Sequence, residues 1–204
     1  MYDRGWRRYT LLMSALRVER HTVEEYLALD RAAEVPGEYH DGEMFSVEAA
    51  TLRHSAISLQ AKRRLTERLE GKPCRVVEEV RLRIGPTKFV YPDIMVVCGQ
   101  PATTDEYLDT ITNPKVIVEI LSPSTEDYDY GTKFELYRRL PSFEEYLLIA
   151  QDRPRVEVFR KMSGERWVLS TYRGLDAEVA LETVDVALRL AELYVGAGFP
   201  AAGE

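Results

Sequence analysis

The stretch from residue 91 to residue 140 constrains the chain most: YPDIMVVC, a loop, PKVIVEILSPST, then YDYGTKFELYRRL. Two strand-like runs, apolar on both faces, each carry one carboxylate, Asp93 and Glu119. Side chains alternate along a strand, so Glu119 shares a face with Ile117 and Leu121, and Asp93 with Tyr91, Met95 and Val97. Runs of this kind are strands covered on both sides. An ionised carboxylate there is costly unless a cation or donors compensate it. The following helix places positions 133, 136, 137 and 140 on one stripe, reading Lys, Leu, Tyr, Leu. A lysine on a core-facing stripe needs a partner too. The spacing therefore predicts that Asp93, Glu119 and Lys133 meet.

Around that stretch the chain reads in short elements. Thr22-Val-Glu-Glu25 is a capping box opening a helix with Val23, Tyr26, Leu27 and Ala33 inward, ended by Val35-Pro36-Gly37. Residues 38–47 alternate as a strand with Tyr39, Asp41, Glu43, Phe45 and Val47 on one face, although Asp41-Gly42 also suits a tight hairpin turn. Residues 51–70 form an amphipathic helix with His54, Ile57, Ala61, Leu65 and Leu69 inward, stopped by Gly71. His54 reads either as a hydrogen-bonded core histidine or as a site residue reached from the helix start. CRVVEEVRLRI (74–84) and residues 89–97 read as an antiparallel hairpin, and 99–113 as a mobile acidic loop. Strands follow at 145–150, 155–160, 167–172 and 177–181, then a helix around 186–194 and a loose tail over 196–204. This order defines an α+β (mixed α/β) domain, most economically one central mixed β-sheet flanked by helices.

At 204 residues the chain suits one domain, spanning 20–195 after an N-terminal extension over 1–19 in which Met13 offers an alternative start. The net charge of −7 argues against a surface coated for nonspecific nucleic-acid binding. The basic cluster Lys62, Arg63, Arg64, Arg68, Lys72 and Arg75 reads as a solvated, salt-bridged face. No apolar run approaches the roughly 18–20 residues of a membrane span, and LLMSAL is too short for a secretory core, so a cytoplasmic protein is expected. Cys74 and Cys98 lack metal-type spacing and read as buried free thiols.

Pro92-Asp93 in one strand and Glu119 in the next resemble the core of the PD-(D/E)xK phosphodiesterase superfamily, the fold of many restriction endonucleases. More specifically, TVEEYLAL, EYHDGEMF, the RHS at His54, CRVVEEVRLRI, YPDIMVVCG, PKVIVEILSPSTEDYD, GTKFELYRRLPSFEEYLLIAQDRPRVEVF and LRLAELY resemble the bacterial restriction-endonuclease-like family of the Uma-two type, over nearly all of residues 20–195. One position departs: the lysine of a plain ExK motif would stand at Leu121. The resemblance implies that it has moved to Lys133, which the helix stripe reaches independently.

The resemblance also implies the chemistry: a metal-dependent endonuclease hydrolysing phosphodiester bonds, in DNA, with a metal-activated water. Asp93 and Glu119 would hold Mg²⁺ (or Mn²⁺), with the Ile120 carbonyl as a further ligand, since hard cations take oxygen donors. Lys133 would orient or activate the water and stabilise charge building on the phosphate. Glu43 and Glu79 would be additional acids, with His54 an outer member. A homodimer is expected from the need to cut two strands. The alternatives are a catalytically silent nuclease-fold binding or assembly module and a purely structural ion-pair network. A glycosidase with paired carboxylates is disfavoured, because it leaves the lysine without a purpose.

Overall fold

The computed structural model describes residues 20–46, 50–123 and 125–199; expectations for 1–19, Val47 and 200–204 lie outside them. One bent hairpin joins two sheets. Strands β3 (Cys74–Val77) and β6 (Ile94–Cys98) pair antiparallel, with Cys74 opposite Cys98 and Val77 opposite Met95. Farther along the same arms, β4 (Arg81–Arg83) pairs with β5 (Lys88–Val90), Leu82 opposite Val90. The hairpin expected over 74–97 is therefore present, but both arms break. Glu79 sits at φ 56 in one break. Pro92, which has no N–H to give a ladder, lies in the other.

Strands β3 and β6 belong to a six-stranded sheet completed by β8 (Val116–Leu121), β9 (Glu145–Ala150), β10 (Arg155–Lys161) and β11 (Trp167–Arg173), in the order β11-β10-β9-β8-β6-β3. β8 and β9 are parallel and the other pairs antiparallel, which makes this the expected mixed central sheet. Strands β4 and β5 belong to a second, five-stranded sheet with β1 (Gly37–His40), β2 (Glu43–Ser46) and β7 (Thr110–Ile111), in the order β2-β1-β5-β4-β7. The hairpin alternative for 38–47 is the one adopted: Asp41 and Gly42 have φ 51 and 104, the two positive values of a two-residue turn matched to strand twist.

Both faces of the central sheet are covered, as its apolar runs require. On one face α2 (Leu52–Leu69) buries Ile57, Ala61, Leu65 and Leu69 against Val96, Val118, Ile120 and Ile149. Each of the Ile, Leu and Val side chains contributes about 1.5–3 kcal/mol of burial. β12 (Glu178–Leu181), β13 (Val186–Arg189) and the short α5 (Leu190–Leu193) complete that layer. On the other face Met95, Ile117, Leu121 and Leu148 lie under Leu136, Tyr137, Leu140 and Phe143. The capping box forms: Thr22 accepts from the Glu25 amide and Glu25 from the Thr22 amide, opening α1 (Val23–Ala32). Tyr26 of α1 stacks on Tyr39 of β1 and leans on Phe89 of β5, fixing the second sheet. Ala33 lies past the end of α1 and is exposed.

Four expectations are corrected. Cys74 and Cys98 are half-buried and joined by a disulfide, because the β3–β6 register sets them directly opposite, with Cα atoms 3.9 Å apart. The helix expected from 186 is strand β13 with only Leu190–Leu193 helical, since Val186 and Leu188 alternate inward as they pair with β12. The loop 99–113 is tied down: β7 pairs with β4, and Asp109 accepts from Arg31 at 2.7 Å and from Arg81 at 2.6 Å. Within the tail, Ala197 is buried, and its carbonyl accepts from Arg53 at 2.9 Å.

Candidate functional site

Where the hairpin bends, β6 stops short and the β8 edge beyond it opens. Asp93 fills that gap: its Oδ2 accepts the Ile120 amide at 2.7 Å, where a ladder partner would otherwise stand. The Asp93 amide in turn faces Glu119 Oε2 at 3.4 Å. Glu119 points to the face covered by Leu136 and Tyr137, together with Ile117 and Leu121, as the alternation predicts, and is 3% exposed.

Lys133 closes the group. The helical segment over 126–137 runs as α3 (Glu126–Tyr128), a π-helical turn Asp129–Lys133, and α4 (Phe134–Tyr137). Such wide turns recur at functional sites. Here the π turn holds Asp129 Oδ1 3.2 Å from Lys133 Nζ while Lys133 reaches Glu119 Oε1 at 3.0 Å. Tyr137, one turn on, donates its hydroxyl to the same Glu119 oxygen at 2.6 Å. Glu38 of β1 lies 3.8 Å from Lys133, and its other oxygen accepts from Tyr128 at 3.0 Å. His40 lies 3.4 Å from that second oxygen. His54 Nε2, from the first turn of α2, is 3.3 Å from Asp93 Oδ2.

All of these groups except the fully buried Tyr137 line a cavity of about 830 Å³ between the two sheets, the start of α2 and the π turn. Burial pushes the Glu119 carboxyl up from 4.5 to about 8, against the pull of Lys133. Burial alone would lower Lys133, but Glu119, Asp129, Glu38 and Asp93 outweigh it and hold the ammonium well above its ordinary value. Burial likewise raises Asp129, again against Lys133. Glu38 is the exception. Burial pushes it up, yet His40, Lys133 and Tyr128 together leave it below its ordinary value. The cluster thus keeps Lys133 charged and lets Glu119 hold a proton when nothing else neutralises it.

Asp93, Glu119, Ile120, Lys133 and His54 converge on the cavity. Glu43 and Glu79 do not. The two-residue turn reverses the parity assumed for a single strand, so Glu43 faces with His40 but lies farther out, paired with Arg20 at 3.3 Å. Glu79 is exposed at the strand break. The basic residues of α2 are spent on acids: Lys62 on Glu78, Arg63 and Arg64 on Glu67, and Arg68 on Glu192. Glu38, Asp129 and Gln151 also line the cavity and Tyr137 holds Glu119, although the sequence reading assigns none of them to the site. Asp129 was legible as an acid four residues before the lysine, and Glu38 would follow from the hairpin reading of EYHDGEMF.

The donor set can be tested for a hard cation. Asp93 Oδ2 and Glu119 Oε1 are held by protein donors, whereas Asp93 Oδ1 makes no hydrogen bond among the described residues and Glu119 Oε2 has only the long contact to the Asp93 amide. Each carboxylate therefore keeps one oxygen for a ligand. Among the described residues no three His, Cys, Asp or Glu side chains form a ready-made cage. Two carboxylates and a carbonyl fit an ion such as Mg²⁺, which retains waters and substrate oxygens.

The fold is that of a crystal structure described as "a putative nuclease belonging to DUF820" from Anabaena variabilis, with a TM-score of 0.70 over 87% of this chain and 99% of that one, at 21% identity. The chain belongs to the Uma2 family, described as "Putative restriction endonuclease", whose model matches residues 23–191. It is 33% identical over 160 residues to the uncharacterized protein sll1609 of Synechocystis sp., covering 78% of this chain and 90% of that protein. It is 29% identical over 178 residues to slr1290 of the same organism, covering 86% and 92%. No helix among the described residues is long and apolar enough to cross a membrane.

Proposed function

We propose that this protein is a Mg²⁺-dependent endonuclease that hydrolyses phosphodiester bonds in DNA at the Asp93–Glu119–Lys133 cluster. The observation that carries this reading is the meeting of all three groups: Lys133 Nζ lies 3.0 Å from Glu119 Oε1, and Asp93 is locked to the next residue's amide at 2.7 Å. Asp93 Oδ1, Glu119 Oε2 and the Ile120 carbonyl, which extended backbone turns to the same edge as its amide, would hold the cation. A cation bound there supplies positive charge to a phosphate oxygen and a lowered pKa to a neighbouring water.

The chain's own residues do the rest. Lys133, kept protonated by the surrounding carboxylates, is suited to stabilise charge on the phosphate and to orient the water by hydrogen bonding, not to remove its proton. Tyr137 and Asp129 pin Glu119 and Lys133 in place. His54 holds Asp93 from the outer side.

Incubation of a mixed DNA pool with Mg²⁺ or Mn²⁺ tests the reading. Wild-type cleavage should vanish with chelator and in Asp93→Asn, and fall about 10²–10³-fold in Lys133→Met. Cleavage that survives in Lys133→Met rules out the migrated lysine. A wild type that neither cuts nor binds metal at millimolar concentration would instead be a nuclease fold used for binding or assembly.

A further inference from the structure

Gln151 follows directly on β9, beside the carboxyl end of β8, the strand that carries Glu119; Leu121 pairs with Ala150 in that parallel ladder. Gln151 lines the cavity, yet it is only 6% exposed. Its Oε1 accepts the Thr51 hydroxyl at 2.6 Å, while its Nε2 is buried and has no hydrogen-bond partner among the described residues. Thr51 meets the amide as a donor. Its oxygen already accepts the His54 amide at 3.0 Å as the N-cap of α2, so its own proton is free to go to a carbonyl oxygen. A buried amide donor without a partner is unfavourable, and native structures rarely keep one without a reason.

We infer that Gln151 is a substrate-contacting residue whose Nε2–H donates to a non-bridging phosphate oxygen of the bound nucleic-acid strand. The inference rests on the nuclease reading of the cavity and adds a contact that the metal-and-lysine cluster does not supply. Glutamine reads a base, usually adenine, by offering both its carbonyl and its amide. With Oε1 committed to Thr51, only a donor remains, which suits a phosphate oxygen and carries no sequence information. A neutral donor also suits this wall, since the cavity already gathers Glu38, Asp93, Glu119 and Asp129 around one lysine.

The test is the affinity of a fluorescein-labelled 20-nucleotide DNA, single-stranded and duplex, with Ca²⁺ in place of Mg²⁺. Wild type, Gln151→Ala and Gln151→Glu are compared, with Mn²⁺ affinity by calorimetry and Tm measured on each. Gln151→Glu keeps the acceptor for Thr51 and exchanges the donor for a charged oxygen. Gln151→Ala should bind roughly tenfold more weakly with Mn²⁺ affinity and Tm close to wild type, Gln151→Glu more weakly still, and both alike across DNA sequences. A packing role would make the isosteric glutamate the milder variant. Variants that bind as wild type does overturn the inference and leave the nuclease reading standing, an internal water then being the partner of Nε2. A loss confined to one DNA sequence overturns the phosphate assignment in favour of base readout. A wild type that binds no DNA overturns the nuclease reading and this inference with it.

Discussion

Removing the Lys133 cation should destabilise the fold by an amount that depends on pH, because its nearest partner, Glu119, exchanges a proton within an accessible pH range. Lys133 and Glu119 are 8% and 3% exposed and 3.0 Å apart. At an effective dielectric of about 20, their gross attraction is about 5.5 kcal/mol, much of it offset by desolvation. Lys133→Met leaves Glu119 and Asp129 buried without a cation and should cost roughly 3–5 kcal/mol when both are ionised. Glu119→Gln keeps the shape and the oxygen that accepts from Tyr137, and Lys133 retains Asp129 at 3.2 Å. It should cost about 1 kcal/mol. The pH direction follows from Glu119. Its folded value, about 8, lies above the ordinary 4.5, so the group's contribution to stability is fully present below 4.5 and is lost as pH rises through about 8. Without Lys133 the ionised form becomes still less favourable, so the penalty of Lys133→Met must grow as pH rises through about 8 and beyond. Urea unfolding of wild type, both single variants and the double variant, with chelator present, measures this at pH 6 and pH 9. The double variant should be roughly 2 kcal/mol more stable than additivity predicts at pH 9, and less so at pH 6. Additive values within about 0.5 kcal/mol at pH 9 would refute the coupled cluster.

The same proton competes with the cation. Apparent Mn²⁺ affinity by calorimetry should rise about tenfold per pH unit up to about 8 and then level off; a flat profile would mean that Glu119 does not take the metal. The disulfide closes a separation of 24 residues, so Cys74→Ser with Cys98→Ser should lower stability by roughly 3 kcal/mol in urea while leaving Mn²⁺ affinity unchanged. An unchanged urea midpoint would show that the bond does not constrain the unfolded chain.

Periodicity carried the central sheet and its helices because those signals are local. Val116–Leu121 is apolar on both faces and is buried on both, and the α2 stripe is the one that packs. Where expectation and structure part, the deciding interaction is long-range. Nothing within 74–97 announces that the hairpin changes sheets; the break becomes visible only when Glu79 adopts φ 56 in one arm and Pro92 interrupts the other. The cysteine pairing is likewise a matter of register, and a shift by one residue would have kept the thiols apart. The short final helix gave way because pairing with β12 satisfies the backbone of Val186–Arg189 better than a solvated helical turn would.

The site follows the same division. Asp93, Glu119 and Lys133 could be found from the cost of burying each of them alone, a criterion that needs no neighbours to be known. That criterion cannot rank acids at the edge of a fold; Glu43 and Glu79 entered through the resemblance instead, and their surroundings are wet or already paired. It also passes over neutral groups, since a glutamine at the end of a strand carries no charge to compensate. Gln151 becomes conspicuous only through an account of which of its two polar atoms has a partner. The break that misled the reading of the hairpin is also what makes the cluster. A continuous β6 would have covered the Ile120 amide with a ladder bond; by ending at Ile94 it leaves that amide to Asp93. One irregularity thus opens the cavity, orients the first carboxylate and sets the edge that the second carboxylate and the lysine share.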